Sequence, residues 1–334
     1  MTLDGNQQIA AFLDELQRPI AEARTFTFSA AQPVAAIALR GFLNERGDFL
    51  MTTLPVADLS RVDSAMVVIP HFAEGGGWTT QIALVNSSDA AMTGTLVFFG
   101  QSGSQLETRT YTIAARSSTI VRRSSADVLV RVGSIRVNAD AGQRTPVGIS
   151  IFSYSVSGIT VTETGVPTVA PASTFAIYGE NSASLKSGFA FANASPQATT
   201  LTYEVFSSDG SAAGMSGSME IPGNGQRALF LTELPGATVL PSSFKGVVRL
   251  TSSSGSLSVI GLRTRTNERG DFLVSTTMPD QNSSATGELY LPHFVHGGGY
   301  TTEFIFLGPS GTTSASGSIE FYSPAGQTLP LAVQ

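Results

Sequence analysis

Two stretches of this chain carry residue types from which a site could be built, and each is written twice. Pro70-His71-Phe72 leads to Gly75-Gly76-Gly77-Trp78-Thr79-Thr80, and Pro292-His293-Phe294 leads to Gly297-Gly298-Gly299-Tyr300-Thr301-Thr302. A glycine loop beside an imidazole and an aromatic ring could bind a sugar or a phosphate, which makes His71, Trp78, His293 and Tyr300 candidate ligand residues. The second stretch, Asn44-Glu45-Arg46-Gly47-Asp48-Phe49-Leu50, returns unchanged as Asn267–Leu273. It places the tripeptide that some adhesion receptors read at Arg46, Gly47 and Asp48, and again at Arg269, Gly270 and Asp271.

Each candidate has a structural alternative. In a strand beginning at Trp78, the ring shares a face with Thr80, Ile82 and Leu84, while Gln81 faces the other way. Tyr300 shares a face with Thr302, Phe304 and Phe306 in the same phase. The ring therefore points with core residues, and the glycines become a bulge or tight crossover between strands. His71 and His293 are then expected to hydrogen-bond the loop backbone. The Arg-Gly-Asp glycines fall where a hairpin tip needs a positive φ, with two solvated charges flanking each. His293 and His296 have a His-x-x-His spacing, but the other copy has Glu74 in place of the second histidine and no further ligand pair stands near. Calcium needs clustered Asp and Asn around a glycine turn, and Ser208-Asp209-Gly210 and Asn138-Ala139-Asp140 are isolated. There is no nucleophile elbow, P-loop, dinucleotide fingerprint or His-Glu-x-x-His. The reading is non-enzymatic, with no catalytic, cofactor-binding or metal residue assigned.

Composition agrees. Charged residues are only 13% of the chain and the net charge is −6, with no basic cluster to neutralise phosphates, so a nucleic-acid partner is not expected. The chain has no cysteine, which removes disulfides and thiolate chemistry. No apolar run is long enough for a membrane-spanning helix, and Met1–Gly5 has no charged or apolar leader pattern of a signal peptide. Sequons at Asn86, Asn193 and Asn282 read as chance matches in a serine-rich chain.

The elements that must position these motifs are strands. Short runs at roughly ten-residue spacing, each bounded by Gly, Ser, Asp or Pro, predict an all-β chain of tandem immunoglobulin-like antiparallel sandwiches. Residues 1–66 read as the rear half of one sandwich. Residues 67–172 and 173–290 each read as a complete sandwich, and 291–334 as the front half of another. Incomplete half-domains thus stand at both ends. Asp4-Gly5-Asn6-Gln7-Gln8 with Phe12–Leu16 matches Gly223-Asn224-Gly225-Gln226 with Phe230–Leu234. Both predict a strand running into one helical turn capped by Asp14 or Thr232. Thr25–Phe28 predicts a strand, and Pro167–Pro171 a linker.

Pro70–Thr80 with Ile82–Asn86, and Phe230–Leu234 with Ile260–Arg263 and Asn267–Leu273, resemble tandem immunoglobulin-like or fibronectin III-like repeats of large secreted or surface bacterial proteins. The resemblance implies an extracellular or cell-surface location and a rod, stalk or adhesion role, with other copies or neighbouring repeats as partners. It carries over no catalytic residue. Three alternatives are a module binding surface glycan, an accessory region of a secreted hydrolase, and a filament subunit whose half-domains complement one another head to tail.

Overall fold

The computed structural model describes residues 2–16, 26–54, 56, 64–281, 288–308 and 316–331. Thr25 and the Asn282 sequon lie outside the described residues. The chain divides into two compact units, one of Ala38–Ser283 and one joining Met1–Ile37 to Ser284–Gln334. It is all-β, and no helix among the described residues is long and apolar enough to cross a membrane.

The larger unit opens with a hairpin of β1 (Ala38–Leu43) and β2 (Phe49–Leu54). Eight strands follow: β3 (Val67–Glu74), β4 (Trp78–Val85), β5 (Met92–Gly100), β6 (Gln105–Ile113), β7 (Ser118–Ser124), β8 (Arg131–Ala139), β9 (Val147–Val156) and β10 (Ile159–Pro167). They form two four-stranded antiparallel sheets, in the orders β3-β8-β5-β6 and β10-β9-β4-β7. Eight more complete the unit: β11 (Thr174–Asn181), β12 (Leu185–Asn193), β13 (Thr199–Ser207), β14 (Ala212–Ile221), β15 (Gln226–Phe230), β16 (Phe244–Ser252), β17 (Leu257–Thr266) and β18 (Phe272–Thr277). Their pairings run β11-β16-β13-β14 and β18-β17-β12-β15, with a single β11–β12 pair at Asn181 and Lys186 joining the two layers. Strand for strand, this is the order of the first sandwich. The two sequences look unlike, yet they build one topology.

Period-two alternation explains the layers. On β4, Thr80, Ile82 and Leu84 are buried; on β13, Thr199, Leu201, Tyr203 and Val205 are buried. Each large apolar side chain removed from water contributes about 1.5–3 kcal/mol. One core gathers Phe175, Phe189, Phe191, Leu231 and Val248 within the second sandwich. The other gathers Phe72, Ile82, Phe98 and Phe152 and continues into Ala190 and Ile260 of the second sandwich.

The turns after β4 and β12 cross between sheets, and Asn86 and Asn193 anchor them from inside. Asn86 Nδ2 donates to the carbonyls of Ala90, Ile113 and Ala114, and Asn193 Nδ2 to those of Gln197, Ile221 and Pro222. Both sequon asparagines are buried with their amides engaged. Residues 167–171 are bonded on both sides: Val169 pairs with Val68, and Ser258 Oγ donates to the Val169 carbonyl. The 3-10 turns Leu13–Leu16 and Leu231–Glu233 are held by the glutamate instead of Asp14 or Thr232. Glu15 and Glu233 each accept the backbone N–H three residues earlier, at 2.7 Å.

The smaller unit has little regular structure among its described residues: β19 (Phe321–Tyr322) pairs with β20 (Thr328–Leu329), and Gly297 bridges Tyr300. Phe26–Phe28 is not a strand here. Alternation alone does not make one, since a strand is stable only where neighbours take its hydrogen bonds.

Candidate functional site

The glycine stretch is a left-handed turn that carries the chain from one sheet to the other. Gly75, Gly76 and Gly77 have φ of 79°, 57° and 92°, and the second copy repeats this with 90°, 60° and 90°. In the first copy no side chain fits: a Cβ on Gly75 would lie 2.4 Å from the Leu129 carbonyl oxygen, and one on Gly77 would lie 2.4 Å from that of Ser155. Trp78 stacks on Tyr154 at 4.6 Å and leans on Phe152 at the edge of the core. Tyr300 is 60% exposed. Glu74, the counterpart of His296, forms a bidentate pair with Arg123 (2.8 and 3.0 Å), whose guanidinium lies 4.5 Å over Phe98.

His71 is buried against the edge of Phe152, and its Nδ1 is 3.1 Å from Gln226 Nε2 of the second sandwich. Its partner is thus a side chain 155 positions away, where loop backbone was expected. Burial lowers its pKa to about 4, so the ring is neutral near pH 7. Around this bond a turn nests on a turn. The Gln226 N–H donates to the Gln101 carbonyl at 3.1 Å, and Gly103 abuts Gly223 so closely that a Cβ would lie 2.0 Å from the Gly223 oxygen. Asn224, at φ 58°, accepts from Arg136 Nη2 at 2.5 Å, and that guanidinium stacks over Phe99 at 4.5 Å.

The smaller unit makes the same junction from the other copies. Gln8 Nε2 lies 2.8 Å from His293 Nδ1 and donates to the Pro292 carbonyl at 2.7 Å. The Gln8 N–H donates to the Pro324 carbonyl at 3.2 Å, and Asn6 has φ 62°. A Cβ on Gly326 would lie 2.9 Å from the Gly5 oxygen. Residues 5–8 and 223–226 play one part; His293 with Pro324–Gly326 and His71 with Gln101–Gly103 play the other.

The two Arg-Gly-Asp hairpins meet each other. Arg46 Nη2 reaches Asp271 Oδ2 at 2.7 Å, and Arg269 Nη2 reaches Asp48 Oδ2 at 3.1 Å, a reciprocal exchange between identical tips. In each tip an asparagine side chain takes two backbone N–H groups: Asn44 from Arg46 and Asp48, Asn267 from Arg269 and Asp271. Gly47 and Gly270 supply φ of 78° and 82°. The hydrogen bond from Arg46 holds the Asp271 carboxyl below its ordinary range. β10 is bonded from both sides. The Thr160 N–H donates to Glu45 at 2.7 Å and Arg40 pairs with Glu163 at 2.6 Å. On the other side, Thr162 exchanges bonds with the Val274 backbone, and Thr276 Oγ1 donates to the Gly165 carbonyl at 2.9 Å.

Nothing among the described residues gathers three or more metal-ligating side chains. Two surface depressions in the larger unit, one lined by 168–170 and 278–281 and one by parts of β1, β2 and β18, hold a single carboxyl, Asp280, and no imidazole. The sequence singled out the histidines and the tripeptides but missed Gln8, Gln226, Asn6, Asn224, Thr160 and Glu163. The matching Gly-Asn-x-Gln quartets were the available signal. A scan of protein-family models and searches of curated proteins and solved structures gave no match to this chain.

Proposed function

We propose that this chain is a non-enzymatic spacer: a rod or stalk segment of immunoglobulin-like repeats in a secreted or surface bacterial protein. The observation that carries the reading is the hairpin exchange. Two hairpins of identical tip sequence within the larger unit, β1–β2 and β17–β18, are tied by reciprocal ion pairs across β10. A linker bonded on both sides and a core shared by neighbouring sandwiches add to it. Such ties resist bending, which a spacer needs and an isolated binding domain does not. In each sandwich the second strand pairs with the fifth and the third with the sixth, β4–β7 and β5–β8 in the first, and the immunoglobulin arrangement has these pairings too.

The test is the width of a distance distribution. The absence of native cysteine allows spin labels at Ala141→Cys and Asp209→Cys, on exposed turns of the two sandwiches. A single narrow distribution supports a stiff spacer, and a broad one argues against it. The exposed Tyr300 favours one other reading, a glycan-binding surface. A glycan array with the whole chain decides it: signal lost on Tyr300→Ala supports binding, and no signal leaves the spacer.

A further inference from the structure

The His–Gln junction forms in two opposite chain orders. In the larger unit the glutamine turn follows its histidine partner in sequence, by 155 positions. In the smaller unit it precedes it, by 285 positions. The side-chain pair, the backbone bond, the positive-φ asparagine and the glycine-on-glycine contact all recur. A contact that keeps its geometry when the order of its halves is reversed does not depend on the chain that joins them. Its information lies in the two turns.

We propose that the Gly-Asn-x-Gln turn is a plug, the histidine strand with its glycine turn is a socket, and the partner they select is a second copy of this chain. Residues 5–8 of one copy seat on His293 and Pro324–Gly326 of the next. The surroundings of this junction fit a partner-dependent surface. Leu13 is 49% exposed where its counterpart Leu231 is 1% exposed, and Phe12, Tyr300 and Phe306 are exposed as well. Large apolar side chains left exposed in this number are what an association surface supplies. The contact is heterologous, plug to socket, so it links copies head to tail into a closed ring or an open chain. It goes beyond the spacer reading and stands apart from it, because a stiff array that never self-associates would still be a spacer.

Cross-linking of full-length chains tests it. Gln7→Cys lies in the plug turn where the other copy has Gly225, and Ala325→Cys in the socket turn where the other copy has Ser102, so both alter positions that vary between the copies and leave Gln8 and His293 in place. A short bis-maleimide is added to an equal mixture of the two single variants. The expected result is covalent dimer at least fivefold above a Gln7→Cys plus Asp209→Cys control, rising with concentration. Adding Gly326→Val to the Ala325→Cys chain, which drives a side chain into the Gly5 carbonyl, should return the yield to the control level. Dimer no greater than control overturns the proposal. The variant carrying both cysteines separates the causes: an in-chain bridge alone at every concentration means that the junction closes only within one chain, and no bridge at all means that it does not form.

Discussion

The larger and smaller units contain the same motifs in different degrees of completion. In the larger unit each strand has its sheet, and Leu231, Ile82 and Leu84 are at most 1% exposed. In the smaller unit, Leu13 and Phe306, the counterparts of Leu231 and Leu84, are 49% and 58% exposed. Yet the His–Gln junction is made in both. Hydrophobic burial needs the full set of strands because it scales with area covered from several sides. The polar junction needs only two short turns with fixed φ. Packing and linkage are therefore separable in this chain, and the motifs repeated along it belong to linkage.

The separation can be broken or sharpened by paired substitutions. The largest contrast should be Leu231→Ala against Leu13→Ala. The first leaves a cavity in a closed core and should cost about 2–5 kcal/mol, and the second should cost under about 1 kcal/mol. Urea unfolding followed by separate probes in the two units measures both, and equal effects would deny the difference in burial. Next comes His71. Its native pKa of about 4 lies below the unfolded value near 6.5, so between these the unfolded chain binds the extra proton. Stability of the larger unit should fall as pH drops through that window, by on the order of 3 kcal/mol in all, and then level off as far as this group is concerned. Urea midpoints from pH 7 to 4 read it, and His71→Gln should flatten the slope. A slope unchanged in that variant would assign it to other groups.

Smaller still is the contrast between glycine turns. Gly77→Ala and Gly299→Ala share the cost of a positive φ, but only Gly77 has a carbonyl oxygen in the way. The extra loss at Gly77 should be about 1–3 kcal/mol, measured by the same unfolding curves. The smallest effect belongs to the hairpin tips. Arg46→Ala and Arg269→Ala should each weaken the larger unit slightly, with a coupling between them that fades as salt is added. Strict additivity at low salt would mean that the reciprocal pairs do not act together.

Much of the fold could be read from local pattern. Alternation placed strands along 67–172 and 173–290, and the phase of Trp78 with Ile82 and Leu84 put its ring against the core. The glycine triplet was legible as a crossover because three consecutive positive-φ residues are a backbone property of glycine. What escaped were contacts between residues far apart in sequence. Nothing near His71 points to Gln226, and nothing in the Asn44–Leu50 heptapeptide says that it meets its own duplicate. Both stretches read as sandwiches of one kind, but their strand order was not legible, because it is set by which faces pack and the two sandwiches satisfy it with different residues. Phe26–Phe28 shows the converse, a strand pattern that lacks a neighbouring ladder.

The most direct measurement of the central claim is hydrogen exchange at two backbone amides. The Gln226 N–H is bonded to the Gln101 carbonyl and the Gln8 N–H to the Pro324 carbonyl. If the junction is a self-sufficient link, both amides exchange well below the rate of an open peptide, and Gln8→Ala or Gly326→Val deprotects residues 5–8 while leaving Gln226 slow. A Gln8 amide that exchanges at the open-peptide rate in the intact chain, beside a protected Gln226, would contradict the account.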